Sequence, residues 1–406
     1  MYINGLLATF ESVMTTIGGI ILAILILLAM VTIHEFGHYI AGKILGFRIN
    51  EFSVGFGPAI FKKRSKKTGE LFALRAIPLG GYCAFDGEDE YEENEEKTEE
   101  PFEELAQNQQ SDGGRVEKTQ ENEYPTPKGE RFNDQPPWKR IIVLVAGALM
   151  NYLLALVLLF TMFGVYGCIH SYLAYAGEGE PVISETELSA KDIILSVDDE
   201  DIYLATDYID ALSGKTQGES VDFKILRKNA DGVWEERTLQ ILLKSDCNFQ
   251  NMNDMTTLYA TLGLDVTQYQ FVSVTVQQGF FETIGSAFVY SFKIGGTVLR
   301  SLGELITGKL GITTMGGPVT TIGLTAQAAS ASPLSFLNIA AFIGVNLAVF
   351  NLLPVPALDG CKVIFCIIEW IRKKPVNRKV ETIIHFVGII FLFAFAILVD
   401  LLQFIL

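Results

Sequence analysis

Two histidines and a glutamate end an otherwise apolar run, IGGIILAILILLAMVTIHEFGHYI. On a helix, residues four apart share a face, so His34 and His38 can direct imidazole nitrogens at one metal ion. Glu35 lies one step round that helix, where it can act as general base toward an attacking water. The chain has four histidines, so this spacing rarely arises by chance. The alternative is a polar patch that joins two helices by hydrogen bonds.

A catalytic zinc ion needs a third protein ligand and an open position. The other polar cluster within an apolar stretch is GVNLAVFNLLPVPALDG, where two prolines prevent a regular helix. Asp359 is the strongest candidate because its carboxylate can bind zinc and would otherwise be an unpaired buried charge. Cys361 is an alternative ligand. Asn346 and Asn351 can orient a substrate backbone or polarise the carbonyl under attack, or they only join helices.

The other histidines and cysteines do not form a metal-binding pattern. His170 and His385 have no companion at ligand spacing, so we expect structural roles for both. The five cysteines lie far apart without a CxxC motif, which favours free thiols. A disulfide between Cys168 and Cys247 is the alternative if both face an oxidising compartment.

The composition indicates a polytopic α-helical membrane protein with additional folded segments. Of 406 residues, 49% are hydrophobic, and four stretches have the roughly 20 apolar residues that a membrane span needs. We expect the first to be retained and not cleaved as a signal peptide, because it lacks a basic amino-terminal region and is followed by HEFGH instead of a small-residue cleavage site. The four predicted spans are 17–40, 141–165, 334–356 and 383–406.

Lysines and arginines indicate which ends of the spans face the cytoplasm. They concentrate in the segments 42–138 and 372–380, which we therefore expect in the cytoplasm, with both termini and the long region 168–333 outside. The net charge of −16 and the lack of a basic stripe argue against a nucleic-acid partner. We expect the lipid bilayer as a partner.

The cytoplasmic segment after the first span has two parts of opposite character. Residues 42–87 alternate apolar and polar residues around the turn KKRSKKTGE, which predicts a membrane-associated β-hairpin. Residues 88–135 begin with a run of acidic residues and continue with polar sequence. Such a segment cannot bury enough apolar surface to order itself, so we predict a disordered acidic insert.

The long region between the second and third spans predicts a small α/β domain and a surface helix. Within 178–265, KDIILSVDDEDI predicts two strands around an acidic turn, LATDYIDALSG a helix, and SVDFKILRKNADGVWEERTLQILL a strand pair. From about 272 to 312 the sequence is helical and partly amphipathic, with charges that recur too often for a fifth span. We expect it to lie along the outer membrane surface.

Several ordered motifs together resemble the bacterial site-2 proteases of the RseP and RasP type, which are intramembrane zinc metalloproteases. These motifs are HEFGH in the first span, FSVGFGP and IPLGGY in the hairpin, and NLLPVPALDG in a late span. The likeness covers nearly the whole chain, because FNDQPPWKRIIVLVAGALMNYLLAL and MGGPVTTIGLTAQAASASPLSFL are similar to the family's entries into its second and third core spans.

The resemblance implies a zinc cofactor bound by His34, His38 and Asp359, with Glu35 as the catalytic acid/base. It further implies that Asn351 and Asn346 contact the substrate and that the outer domain is PDZ-like. The implied substrates are single-span membrane proteins such as anti-sigma factors or remnant signal peptides, and the implied location is the bacterial cytoplasmic (inner or plasma) membrane. The alternative class is a non-proteolytic membrane metal-binding protein or scaffold. The expected segments are 1–41 (first span), 42–87 (hairpin), 88–135 (insert), 136–167 (second span), 178–265 (PDZ-like domain), 270–333 (amphipathic helix and linker), 334–371 (third span) and 380–406 (fourth span).

Overall fold

A computed structural model describes residues 2–88, 124–177, 187–229 and 231–405. The helices are α1 (Tyr2–Leu45), α2 (Pro137–Tyr166), α3 (Ala205–Leu212), α4 (Met255–Leu262), α5 (Phe280–Ile306), α6 (Pro318–Ala331), α7 (Pro333–Leu352), α8 (Asp359–Arg372) and α9 (Arg378–Ile405). The strands are β1 (Ile49–Arg64), β2 (Leu71–Phe85), β3 (Cys168–Tyr175), β4 (Ile193–Val197), β5 (Glu200–Asp201), β6 (Ser220–Lys228), β7 (Trp234–Leu242) and β8 (Tyr269–Val276).

Four of these helices are long and apolar enough to cross a membrane, and each overlaps one of the four predicted spans. The apolar stretches are Thr15–Leu45 of α1, Pro137–Tyr166, Pro333–Leu352 and Arg378–Ile405. At 1.5 Å of rise per residue, each reaches the roughly 30 Å thickness of a bilayer's hydrocarbon core.

The described chain divides into two compact units, one of which comprises Leu27–Met150 and Asn351–Leu392. In this unit β1 and β2 pair as the predicted hairpin, but the strands bend at Gly55 and Gly80, both of which have positive φ. Because of these bends, each residue of the segment 51–54 has one partner in 71–74 and another in 81–84. The segment 51–54 therefore uses both of its backbone edges within the hairpin.

The predicted acidic insert is only partly within the described residues. Residues 89–123 lie outside them, whereas Tyr124–Gln135 is ordered against the hairpin, so the expectation of disorder was wrong for that part. Glu130 forms a parallel bridge to Phe47, and the Phe132 N–H donates to the Asp86 carbonyl at 2.8 Å. Phe132 is buried with Phe47 and Phe85, and these aromatic contacts provide the apolar surface that the acidic run lacks.

The predicted third segment, 334–371, is not one helix. Helix α7 ends at Leu352, and the amphipathic helix α8 begins at Asp359. Pro354 and Pro356 lack the N–H groups that a continuous helix would use, so the backbone forms a turn between α7 and α8. At Gly360 a side chain would meet the Leu352 and Leu353 carbonyls, so glycine permits the tight return into α8.

The second unit contains a mixed domain around a sheet of order β7-β6-β4-β3-β8, with β5 paired to β4. The structure confirms the predicted strands β4 and β5, the helix α3, and the strand pair β6–β7. The sheet extends beyond the predicted limits 178–265, because β3 and β8 pair with each other along their whole length. Its core is apolar, with Ile194, Phe223 and Leu258 among the fully buried side chains.

The predicted helix 272–312 is shorter than expected. Its first residues belong to β8, and α5 begins at Phe280 and ends at Ile306. The helix exposes large apolar side chains, including Phe281 and Phe292, and this exposure fits the expected contact with a membrane surface.

A buried ion pair joins β4 to β6 within the sheet domain. The Arg227 guanidinium donates from Nε and Nη2 to the two Asp192 carboxylate oxygens, each at 2.7 Å. The Asp192 side chain is fully buried, and it also accepts the Ser189 N–H at 2.8 Å. Removing one member of such a pair leaves the other charge buried without compensation.

We expect Asp192→Asn to destabilise the sheet domain by about 3–5 kcal/mol, because it leaves the Arg227 charge buried and unpaired. Glu236→Gln is the matched control, because it removes a charge from the exposed Lys224–Glu236 pair of the same sheet, and we expect a loss below about 1 kcal/mol. Hydrogen–deuterium exchange of β4 and β6 in the full chain measures both. Equal protection in the two variants would contradict the assignment.

Candidate metal centre

The metal-binding candidates on α1 lie one helical turn apart and are buried. His34 and His38 are 8% and 7% exposed, and their Nε2 atoms lie 3.1 Å apart. Their rings meet edge to face. Two imidazole nitrogens at this distance, four residues apart on one helix face, form the first half of a metal site.

Asp359 completes the cluster from the first residue of α8. Its Oδ2 atom lies 3.1 Å from His34 Nε2 and 3.4 Å from His38 Nε2. Tetrahedral ligands at 2.0–2.1 Å from zinc are about 3.3 Å from one another, so these three atoms have a suitable spacing. Among the residues that the structure describes, this is the one group of three His, Cys, Asp or Glu side chains with ligand atoms within 4.8 Å of one another.

The second nitrogen of each histidine also has a neighbour. His38 Nδ1 lies 2.8 Å from the Val143 carbonyl oxygen of α2, which can only accept a hydrogen bond. Nδ1 therefore carries the proton, and Nε2 presents its lone pair to the metal position. Asn351, in the last turn of α7, places its Nδ2 amide group 3.4 Å from His34 Nδ1. His38 Nε2, which faces Asp359, is thus available as a ligand.

Glycines allow α2 to approach the histidine pair closely. A Cβ atom at Gly147 would collide with His38 Nε2, and one at Gly37 would collide with the Ala146 carbonyl. The sequence analysis did not assign a role to either glycine. The small-residue stretch AGA around Gly147 is the only sequence signal that could have indicated the close approach of α2 to the histidines.

Strand β2 holds Glu35 beside the histidines. The Cys83 N–H donates to the Glu35 carboxylate, and a Cβ atom at Gly81 would lie 3.5 Å from the Glu35 Cγ atom. Burial raises the pKa of the Cys83 thiol well above its usual range, so this cysteine stays protonated. The hairpin therefore orients the general-base candidate through its backbone.

The remaining candidates lie outside the three-ligand cluster. Cys361 is buried and is not one of the clustered ligands. Asn346 belongs to the other unit, and its Oδ1 is buried without a hydrogen-bond partner among the described residues. His170 lies on β3 in that unit, where burial lowers its pKa. His385 accepts the Ala357 N–H at 3.1 Å.

All five cysteines are free thiols, so the alternative Cys168–Cys247 disulfide does not form.

Known proteins are similar to this chain over nearly its whole length. The profile of Peptidase family M50 matches residues 22–395. A Clostridium perfringens protein with a zinc-metalloprotease name is 30% identical, over 94% of this chain and 97% of that protein. The zinc metalloprotease RasP of Bacillus licheniformis is 28% identical, and the regulator of sigma-W protease RasP of Bacillus subtilis is 26% identical. Each of these two matches covers 92% of this chain and 95% of the relative.

The match spans nearly the whole chain, and the Clostridium perfringens and Bacillus licheniformis relatives are named as zinc metalloproteases. The four apolar helices are consistent with a protease of the membrane. The chain therefore belongs to peptidase family M50, the site-2 proteases, and is a zinc metallopeptidase.

Proposed function

We propose that this protein cleaves transmembrane segments of single-span membrane proteins at a zinc ion held by His34, His38 and Asp359. The observation that supports this most strongly is the convergence of the three ligand atoms beside Glu35, on a helix long enough to span a membrane. A buried ionisable cluster in such a helix indicates a functional site. Family membership favours this activity over a non-proteolytic metal-binding protein or scaffold.

The residues of the site divide the work of peptide hydrolysis. Zinc, when bound, supplies Lewis-acid chemistry at the carbonyl under attack. Glu35 accepts the proton of the attacking water, with its carboxylate held in place by the Cys83 N–H. We also propose that Asn351, beside His34, and Asn346 contact the substrate backbone.

A helical substrate must unwind before it is cut, and an extended segment can pair with a strand edge. Residues 51–54 of β1 cannot provide that edge, because they already pair on both sides. Among the described residues, 81–84 pair only with 51–54, and the Cys83 N–H points away toward Glu35. We therefore propose that the substrate pairs along Gly80–Phe85, which leads its backbone past the general base.

The basic residues of the hairpin turn and of the α8–α9 connection support a cytoplasmic position for both segments. We propose a location in the bacterial cytoplasmic membrane, with both termini and the sheet domain outside. Water then reaches the site from the cytoplasmic side, because HEFGH lies near the cytoplasmic end of α1.

We propose that the sheet domain formed by β3–β8 is the family's PDZ-like domain and admits only substrates whose outer part has been trimmed. The strand–turn–strand of β4 and β5 followed by helix α3 supports this assignment. The Bacillus subtilis relative is named for regulation of sigma-W, which supports anti-sigma factors as one substrate class for this chain. Remnant signal peptides are the other class, because they too are single apolar helices.

We expect Glu35→Gln to reduce cleavage by about 10²–10⁴-fold while zinc remains bound, because the amide cannot accept the proton of the attacking water. Cleavage of a model single-span substrate, together with metal analysis of the purified protein, measures both quantities. The control is Glu236→Gln in the sheet domain, which we expect to cut normally. Full activity in Glu35→Gln would refute the assignment.

We expect Asp359→Asn to lower the zinc content of the purified protein, because a neutral amide is a weaker ligand than a carboxylate. The measurement is zinc stoichiometry after dialysis against a weak chelator, with wild type and Glu35→Gln as references. Unchanged stoichiometry would remove Asp359 from the ligand set.

We expect backbone N-methyl groups on a synthetic single-span substrate to slow cleavage in an alternating pattern near the cut site. Methyl groups on the amides that face the Gly80–Phe85 edge block strand pairing, whereas methyl groups on the intervening amides face away from it. The comparison of cleavage rates between the two methylation series tests the edge without changing the protein. Equal rates in both series would argue against strand pairing.

A further inference from the structure

The turn that delivers Asp359 to the histidines is conformationally unfavourable by itself. Ala357, two residues before Asp359, has φ of +80°, a region that residues with a Cβ atom rarely adopt. Two short-range hydrogen bonds lie within the turn, from the Val355 N–H to the Leu353 carbonyl and from the Leu358 N–H to the Val355 carbonyl. A turn with such a residue persists when neighbouring elements hold it.

His385 of α9 provides one such contact. Its Nδ1 accepts the Ala357 N–H at 3.1 Å. The same imidazole lies edge to face with Phe365 of α8, with ring centroids 5.9 Å apart. One side chain thus contacts both the turn and the helix that begins with Asp359.

Gly388 provides a second contact from the next turn of α9. A Cβ atom at this position would collide with Pro356, at the Pro356 side chain and backbone. The absence of a side chain lets α9 lie directly against the residue that precedes Ala357. His385 and Gly388 are three residues apart and therefore share a helix face.

We propose that His385 is a positioning residue for the metal centre: by accepting the Ala357 N–H, it holds the turn in the conformation that directs Asp359 at His34 and His38. The inference depends on the proposed zinc site. It assigns to α9 a role in metal affinity, although α9 contributes no ligand to the cluster.

The test measures the zinc dissociation constant of the full-length protein in detergent by competition with a chromophoric chelator. We expect His385→Ala to weaken zinc binding by about 10–100-fold, the usual effect of removing a group that orients a ligand. His385→Asn keeps an acceptor oxygen near the position of Nδ1, and we expect its affinity to return to within about threefold of wild type. The absorption spectrum of the Co²⁺-substituted protein should change in the alanine variant and recover in the asparagine variant.

Val387→Ala is the matched control, because Val387 lies on the same helix and is 58% exposed. Gly388→Ala is a second variant, in which alanine favours the helix itself but pushes on Pro356, so we expect weaker zinc binding there too. This variant decides the matter if His385→Ala does not fold.

Wild-type zinc affinity in His385→Ala would overturn the proposal. Zinc affinity in His385→Asn that is as low as in His385→Ala would overturn it too. If His385→Ala does not fold, wild-type zinc affinity in Gly388→Ala would overturn the proposal. If the wild-type protein itself binds no zinc, the proposed function fails instead.

Discussion

The close approach of one carboxylate to two imidazoles is the constraint on which the rest of the metal unit depends. Asp359 lies 325 residues after His34, yet its Oδ2 atom lies 3.1 Å from the His34 Nε2 atom. Ionisable groups in membrane-spanning segments are costly unless they have partners. When these three groups lie together, each ionisable side chain has a partner. The arrangement also requires a break in the helix before Asp359, glycines where α2 meets the histidines, and a backbone donor for the adjacent glutamate.

These features have a common physical basis, because each one fixes a polar atom by using backbone groups. The Val143 carbonyl sets the tautomer of His38, and the Cys83 N–H orients Glu35. A backbone group that takes part in a defined secondary structure has little conformational freedom left to lose, so it positions a partner at a low entropic cost. The protein thus builds a polar site in an apolar setting with few additional polar side chains.

The sequence was sufficient for the elements whose signals are local. HEFGH has helical ligand spacing, NLLPVPALDG combines an acid with helix-breaking prolines, and the apolar stretches have the length of spans. Contacts between distant backbone segments were not predictable, because carbonyl and N–H groups are the same at every residue. The Val143 and Cys83 contacts are of this kind, as are the β3–β8 pairing and the two-sided pairing of 51–54. Gly147 was overlooked because its importance lies in the absent side chain.

The donor that orients Glu35 belongs to the main chain of residue 83, so the contact does not depend on which side chain stands at that position. Exchanging Cys83 for another amino acid with an N–H group retains the donor atom itself. A scan of side chains along β2 would therefore pass over this contact without detecting it. The orientation of the base is encoded by the path of the strand, so the residue at position 83 can vary between species while the chemistry stays the same.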